Sequence, residues 1–382
     1  MPLKIWRKET ARFMQVLALS TPLLLAGSSL AHAAADGSPK ADDTPTFNVG
    51  VTVYGNYTYT DTPTKVDQDG NTYHPSDFDI SRAYINVFGR INHLVSYRVT
   101  PDVKRQATSC ASSDPNVSVS CSSSIDGSLS YRLKYAYGQF NLDDSWGKGS
   151  WVRFGLHHTP YIDWNEHIYR YRWQGTIFAE REGFLSSSDF GASTHYSFPG
   201  GFGDVHAGYY NGETYGHGEA NAQKAIEARV SIRPAPHSES LKGLLITGFY
   251  DADKYTKSDP RTRLIGAVTY ANKHVHAGFE YLDAKDQPAA ASPEVKSNGY
   301  TVWATPIFPK GWEALLRYDS FKPDKDIDAR KNRKIGGVAY WFHTKESHAK
   351  AALLLDYESV GYDEALGKPD EKRYAIHSLF EF

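Results

Sequence analysis

The segment Arg373–Phe382, RYAIHSLFEF, decides how the rest of the chain is read. With a two-residue period, Tyr374, Ile376, Phe380 and Phe382 fall on one face, with Ser378 as the small polar member. Arg373, Ala375, His377, Leu379 and Glu381 fall on the other. A strand of this kind has an oily face that needs cover. In a soluble sandwich the cover is a second sheet. The alternative is lipid, and the preceding sequence discriminates between the two.

From Thr46 onward the chain alternates strand-like runs with turns. Sixteen runs are expected, near 46–60, 77–90, 93–105, 128–142, 150–159, 187–198, 203–212, 223–234, 242–252, 261–271, 274–284, 296–306, 312–321, 328–343, 347–358 and 372–382. Long polar connections are expected after odd runs. Tight turns such as INH, PGGFG, ANK, FPKG and HTKES follow even ones, built from the Gly, Pro and Asn that sharp turns need. Within about half of the runs the faces separate cleanly, and they blur in the second, twelfth and fourteenth. Val95, Tyr97 and Val99 oppose Ser96, Arg98, Thr100, Asp102 and Lys104, and Ile226, Val230 and Ile232 oppose Glu227, Arg229 and Arg233. Burying so many charges between soluble sheets would be prohibitive, whereas a watery lumen removes the cost. The fold class expected is all-β: a transmembrane antiparallel up-and-down β-barrel of 16 strands with its third external loop folded into the lumen.

The amino-terminal region reads as an export signal. Lys4, Arg7, Lys8 and Arg12 precede the apolar FMQVLALSTPLLLAG, and Ala31-His32-Ala33 offers a cleavage site, with Ala33-Ala34-Ala35 as a close alternative. The apolar stretch is short for a spanning helix. The organisation expected is a signal peptide over 1–33, a short periplasmic segment over 34–45 and the barrel over 46–382. Without the four signal bases and Glu9 the formal charge falls from −2 to −5, which argues against nucleic acid as a partner. In an exported chain Cys110 and Cys121 are expected to form a disulfide tying one loop, free thiols being the alternative.

Parity assigns Arg98, Lys104, Arg132, Lys134, Arg153, Arg229, Arg233, Arg263, Arg317 and Arg373 to the lumen. Asp102, Glu227, Glu280, Glu313, Asp319, Asp356 and Glu381 share that face. An excess of bases favours anions. The third connection, Tyr161–Ser186, carries Asp163, Glu166, Arg170, Arg172, Glu180 and Arg181 among many aromatics, too apolar a composition to float in water. It is expected to constrict the lumen. His157 and His158, as neighbours on a strand, are expected to point to opposite faces and so not to chelate together; His274 and His276 share a face but lack further ligands. Neither a metal nor a cofactor is expected, and no hydrolase or nucleotide-binding fingerprint occurs.

Residues 78–191 resemble the phosphate-selective porin O and P family of Gram-negative outer membranes, through ISRAYINVFGRINHLVSYRV, LKYAYGQF, VRFGLHHTPY and IFAEREGFLSSSDFGA in that order. Arg153-Phe154-Gly155 and Pro160-Tyr161 match where the third loop begins, and Phe178, Glu180-Arg181, Asp189 and Gly191 where it ends. The chain departs from the family at His157, His158 and Tyr161 and has no dense ladder of arginines. The resemblance implies a diffusion channel in the outer membrane, commonly a homotrimer, passing small hydrophilic or anionic solutes. It also implies membrane lipid and the outer-membrane assembly machinery as partners, with Phe382 in the assembly signal. A plugged structural or adhesive barrel and an outer-membrane enzyme are the alternatives.

Overall fold

Alternation of inward polar with outward apolar residues closes the sheet on itself. The computed structural model describes residues 43–105, 128–219, 221–289, 291–342 and 349–382. Sixteen strands form one closed antiparallel barrel. They are β1 Thr46–Thr62, β2 Ser76–Arg90, β3 Val95–Arg105, β4 Leu129–Asn141, β5 Trp151–His158, β6 Ser188–Ser197, β7 Gly203–Tyr210 and β8 Ala225–Ile232. The second half comprises β9 Leu244–Thr256, β10 Asp259–Ala271, β11 Val275–Asp286, β12 Val295–Pro306, β13 Trp312–Lys322, β14 Lys331–Phe342, β15 Lys350–Tyr362 and β16 Glu371–Glu381. Each strand pairs with its neighbours in sequence, and β16 returns to β1 in a register running from Thr52↔Glu381 to Thr60↔Arg373. Phe382 extends that seam: Val51 N–H donates to its carbonyl at 2.7 Å and its own N–H donates to the Val51 carbonyl at 3.0 Å. Among the described residues the barrel sheet has no open edge.

The terminal strand resolves as its period implies. Ile376 is 50% exposed and Phe380 48%, while His377 is 5% and Leu379 4%. The same outward set continues around the wall through Val230, Leu264, Phe279, Leu316 and Leu355. This apolar surface, on a closed sheet whose interior carries the charges, suits a bilayer. Among the described residues no helix is long and apolar enough to cross a membrane.

Bulges in β2 and β4 break the period, and further register shifts fall at Thr60/Thr62 in β1 and Lys254/Thr256 in β9. In β2 the register passes from Tyr54↔Arg82 to Gly55↔Ile80, leaving Ser81 as an extra residue. In β4 Thr100 pairs with Tyr135 and Pro101 with Leu133, leaving Lys134 extra. An extra residue turns every side chain beyond it to the other face. Hence Lys134 and Tyr135, though adjacent, are both buried inside the wall.

The expected alternation of long and short connections is not strict. β9 and β10 run on until only Lys257 and Ser258 separate them, because Asp253 and Arg261 pair across the two strands and draw polar sequence into the ladder. On the opposite end, eleven residues join β8 to β9. A small ladder of Lys65–Val66 with Thr72–Tyr73 orders the first loop. The expected signal peptide and the Cys110–Cys121 disulfide lie outside the described residues.

Candidate functional site

The longest connection follows β5. It folds into a helix Ile162–Tyr169, reverses at Arg170 in the left-handed region with φ 61°, and forms a short second helix Phe178–Arg181. Most of its aromatic side chains are buried, with Trp164 and Phe184 partly so. Tyr161, Tyr169, Tyr171, Trp173, Ile177 and Phe178 are buried in one apolar cluster with the wall residues Phe249, Ile265, Leu282, Trp303, Leu315 and Leu354. These wall residues lie on the face opposite the exposed apolar band. Each fully buried side chain of this size is worth about 1.5–3 kcal/mol, so the segment is held against the wall.

Polar contacts fix its position. Tyr161 Oη donates to Glu280 at 2.7 Å, and Arg170 and Tyr171 donate to Glu313 at 2.5 and 2.9 Å. Gln174 donates to Asp356 at 2.8 Å and Arg181 to Glu358 at 3.2 Å. From the wall, Arg229 donates to the Pro160 carbonyl, Arg263 to that of Phe184 and Arg317 to that of Thr176, at 2.9, 3.2 and 2.9 Å. Lys331 and Arg333 clasp Glu182. The loop thus bonds to strands from β8 to β15.

Within the loop, Arg172 joins Glu166 and Glu180, the latter at 2.5 Å. Burial raises the Glu166 carboxyl above its ordinary value even though Arg172 pulls it down. At Glu180 burial is outweighed by the charge and hydrogen bonds of Arg172, which hold that carboxyl below its usual range. Replacing Arg172 with Ala strands two buried carboxylates and is expected to cost about 3–5 kcal/mol, read as a lowered midpoint in chemical unfolding of the detergent-folded barrel. Arg98→Ala, which removes no carboxylate's partner, should shift it far less.

The tip of the loop approaches β1, β2 and β16 across a cavity of about 180 Å³. Four charged side chains line it, and all are arginines: Arg82, Arg172, Arg181 and Arg373. Their carboxylate partners, Asp102, Glu166, Glu180 and Glu358, stand outside the lining. The Arg181 guanidinium lies close over Gly175, where a Cβ would make it shift. Arg82 was not among the residues expected in the lumen. A strict period through the exposed Phe78 and Ile80 would put it on the lipid side; the bulge at Ser81 turns it inward, level with Tyr84.

The other sequence-derived candidates divide by partner. Arg229, Arg263, Arg317 and Arg373 are paired with Asp204, Asp286, Asp319 and Glu358. Three cations on β3–β5 are held by neutral groups: Arg98 by Asn86 and Thr100, Lys134 by Tyr84 Oη at 3.1 Å, and Arg153 by Gln139. Arg132 donates to Tyr215 Oη at 2.6 Å and reaches Asp102 at 3.5 Å. Arg233 donates to the Gly201 carbonyl. Lys104 lies on β3 opposite Ser130. Asp163 stands 3.4 Å from His158, away from the arginine cavity.

The reading of the two adjacent histidines needs correction. Both rings lie on the inner side: His157 contacts Ser193 at 2.7 Å, and His158 stacks on Tyr135 at 3.9 Å and meets Arg153. Strict alternation fails because His158 ends the strand, where the chain turns into the loop. Among the described residues no group of three or more side chains is placed to hold a metal ion.

No family model matches the chain, and no curated protein matches it by sequence. Solved structures do match, at low identity. The anion-selective porin from Comamonas acidovorans superposes with a TM-score of 0.61 at 12% identity, over 89% of this chain and 100% of that one. OmpT of Vibrio cholerae in its trimer form gives 0.56 at 13% over 89% and 100%, and Salmonella typhi OmpF in complex with daunomycin gives 0.57 at 12% over 89% and 98%. The chain has the sixteen-stranded barrel fold of these porins.

Proposed function

We propose that the protein is an outer-membrane porin of a Gram-negative bacterium, a passive diffusion channel for small hydrophilic solutes that favours anions. The observation that carries the anion preference is the cavity at the loop tip, whose charged lining is entirely arginine. Positive side chains at a narrow point raise the local concentration of anions and repel cations. Arg98, Lys134 and Arg153, which bond to neutral groups, extend the same bias along the wall. The third loop is the constriction in this reading. The partners are membrane lipid through the apolar band, the solute, the assembly machinery through the terminal strand, and two further copies of the chain in a homotrimer. The reaction implied is none, so no cofactor is required.

Reconstituted protein is expected to raise planar-bilayer conductance in discrete steps, with a reversal potential of anion-selective sign in a salt gradient. A cation-selective sign would sink the anion reading. The apolar core between loop and wall favours one other reading, a plugged barrel with a structural role. Absence of steps in the intact protein, with solute leakage appearing only after removal of residues 161–186, would decide for the plug.

A further inference from the structure

A second site, whose role rests on the anion-channel reading, lies on the short-turn side of the third loop. The helix Ile162–Tyr169 forms one wall of a cavity of about 770 Å³, and the others come from β5–β8 and their turns. That is the size of a site for a small organic molecule. Two guanidinium–indole pairs line it: Arg153 lies 3.8 Å over Trp151 on β5, and Arg229 lies 5.5 Å over Trp164 on the helix.

The two pairs differ in what they have left to give. Arg229 is engaged by Asp204 and the Pro160 carbonyl. Arg153 uses Nε on Gln139 and Nη1 on His158, and among the described residues no carboxylate lies within ion-pair distance of it. Arg233, on the same cavity, is in the same position, bonded only to a backbone carbonyl. The lining carries four basic side chains against two carboxylates, and both carboxylates are already occupied: Asp204 by Arg229 and His195, Asp163 by His158. Positive charge is therefore in excess here.

The chemistry of a matching solute follows. A guanidinium stacked on an aromatic ring keeps its N–H edge for a carboxylate, which it grips with two parallel hydrogen bonds. The half-buried indole of Trp164 supplies a flat apolar surface for a ring. Chloride or inorganic phosphate would use the charge and leave the indoles idle. A neutral sugar would use the indoles and leave the charge. We propose that this cavity is a binding subsite for aromatic carboxylates, with Arg153 taking the carboxylate and Trp164 the ring.

The test titrates benzoate, acetate, inorganic phosphate and maltose against the chloride current of the full-length channel, each normalised to that protein's unblocked current. Benzoate is expected to block at a concentration about three- to tenfold lower than acetate, the range an aromatic contact supplies. Trp164→Ala should abolish that difference and Trp164→Phe should restore most of it. Arg153→Gln should weaken benzoate about tenfold or more, and Arg153→Lys should recover only part of the loss. Block should also be faster from the short-turn side. Equal block by benzoate and acetate, or block by maltose in place of benzoate, overturns the proposal. If no current is seen at all, the channel reading fails by itself. Benzoate quenching of tryptophan fluorescence in the detergent-folded barrel, compared with Trp164→Phe, then still decides the subsite: unchanged quenching in the variant rejects it.

Discussion

Deletion of Phe382 is expected to lower the amount of folded barrel in the outer membrane by about tenfold, while the channels that do form keep the wild-type reversal potential. The residue contributes two backbone hydrogen bonds to Val51, and these complete the ladder between the last strand and the first. Two such bonds are together worth roughly 1–3 kcal/mol, and their loss reopens part of a sheet edge at the seam. No arginine of the loop-tip cavity is touched, which is why pore selectivity should survive. Heat-modifiable gel mobility of outer-membrane fractions measures the yield. Wild-type amounts of folded protein from the truncated chain would remove Phe382 from the assembly role proposed for it.

Exchanging Arg82 and Arg373 together for Glu is expected to invert the sign of the reversal potential. Both line the cavity at the loop tip, and neither is enclosed by the loop's own ion pairs. The two arginines that remain are compensated by Glu166, Glu180 and Glu358, so the exchange leaves carboxylates dominant at the narrow point. Placing Glu opposite Glu358 repels, and the double Gln variant guards against misfolding: it should weaken the anion preference without reversing it. An unchanged potential in the Gln variant would show that ions are selected elsewhere. Lys65→Glu, on the exposed hairpin of the first loop, serves as control.

The fold was legible in the sequence because the wall strands carry an apolar face outward. The parity of RYAIHSLFEF, of Ile226–Ile232 and of Trp312–Asp319 describes the wall correctly. The interior was less legible. From β9 onward the inner face also carries large apolar residues, such as Phe249, Ile265 and Leu354, packed under the loop. Strands apolar on both faces read as unbroken runs, as in Ala351–Leu355, and nothing in them separates the side that meets lipid from the side that meets a folded loop. Local sequence also hid the role of Arg82, since DFDISRAY contains no residue that announces a bulge. The pairing of Arg172 with Glu166 and Glu180 joins residues close in sequence, yet it depends on the reversal at Arg170, a non-glycine position in the left-handed region that composition does not mark.

The bulge at Ser81 has a consequence for how such a barrel wall changes in length. Removing that single residue would leave Ile80 opposite Gly55 and Arg82 opposite Tyr54, so Arg82 would stay on the inner side and the strand would alternate strictly. A gain or loss of one codon in a wall strand can thus be absorbed as a bulge that leaves the inner and outer sets of residues on either side of it in place. Chain length in barrels of this kind can therefore change while the charge of the lining is conserved, and a reading that follows sequence parity alone will misplace the residues beyond the bulge.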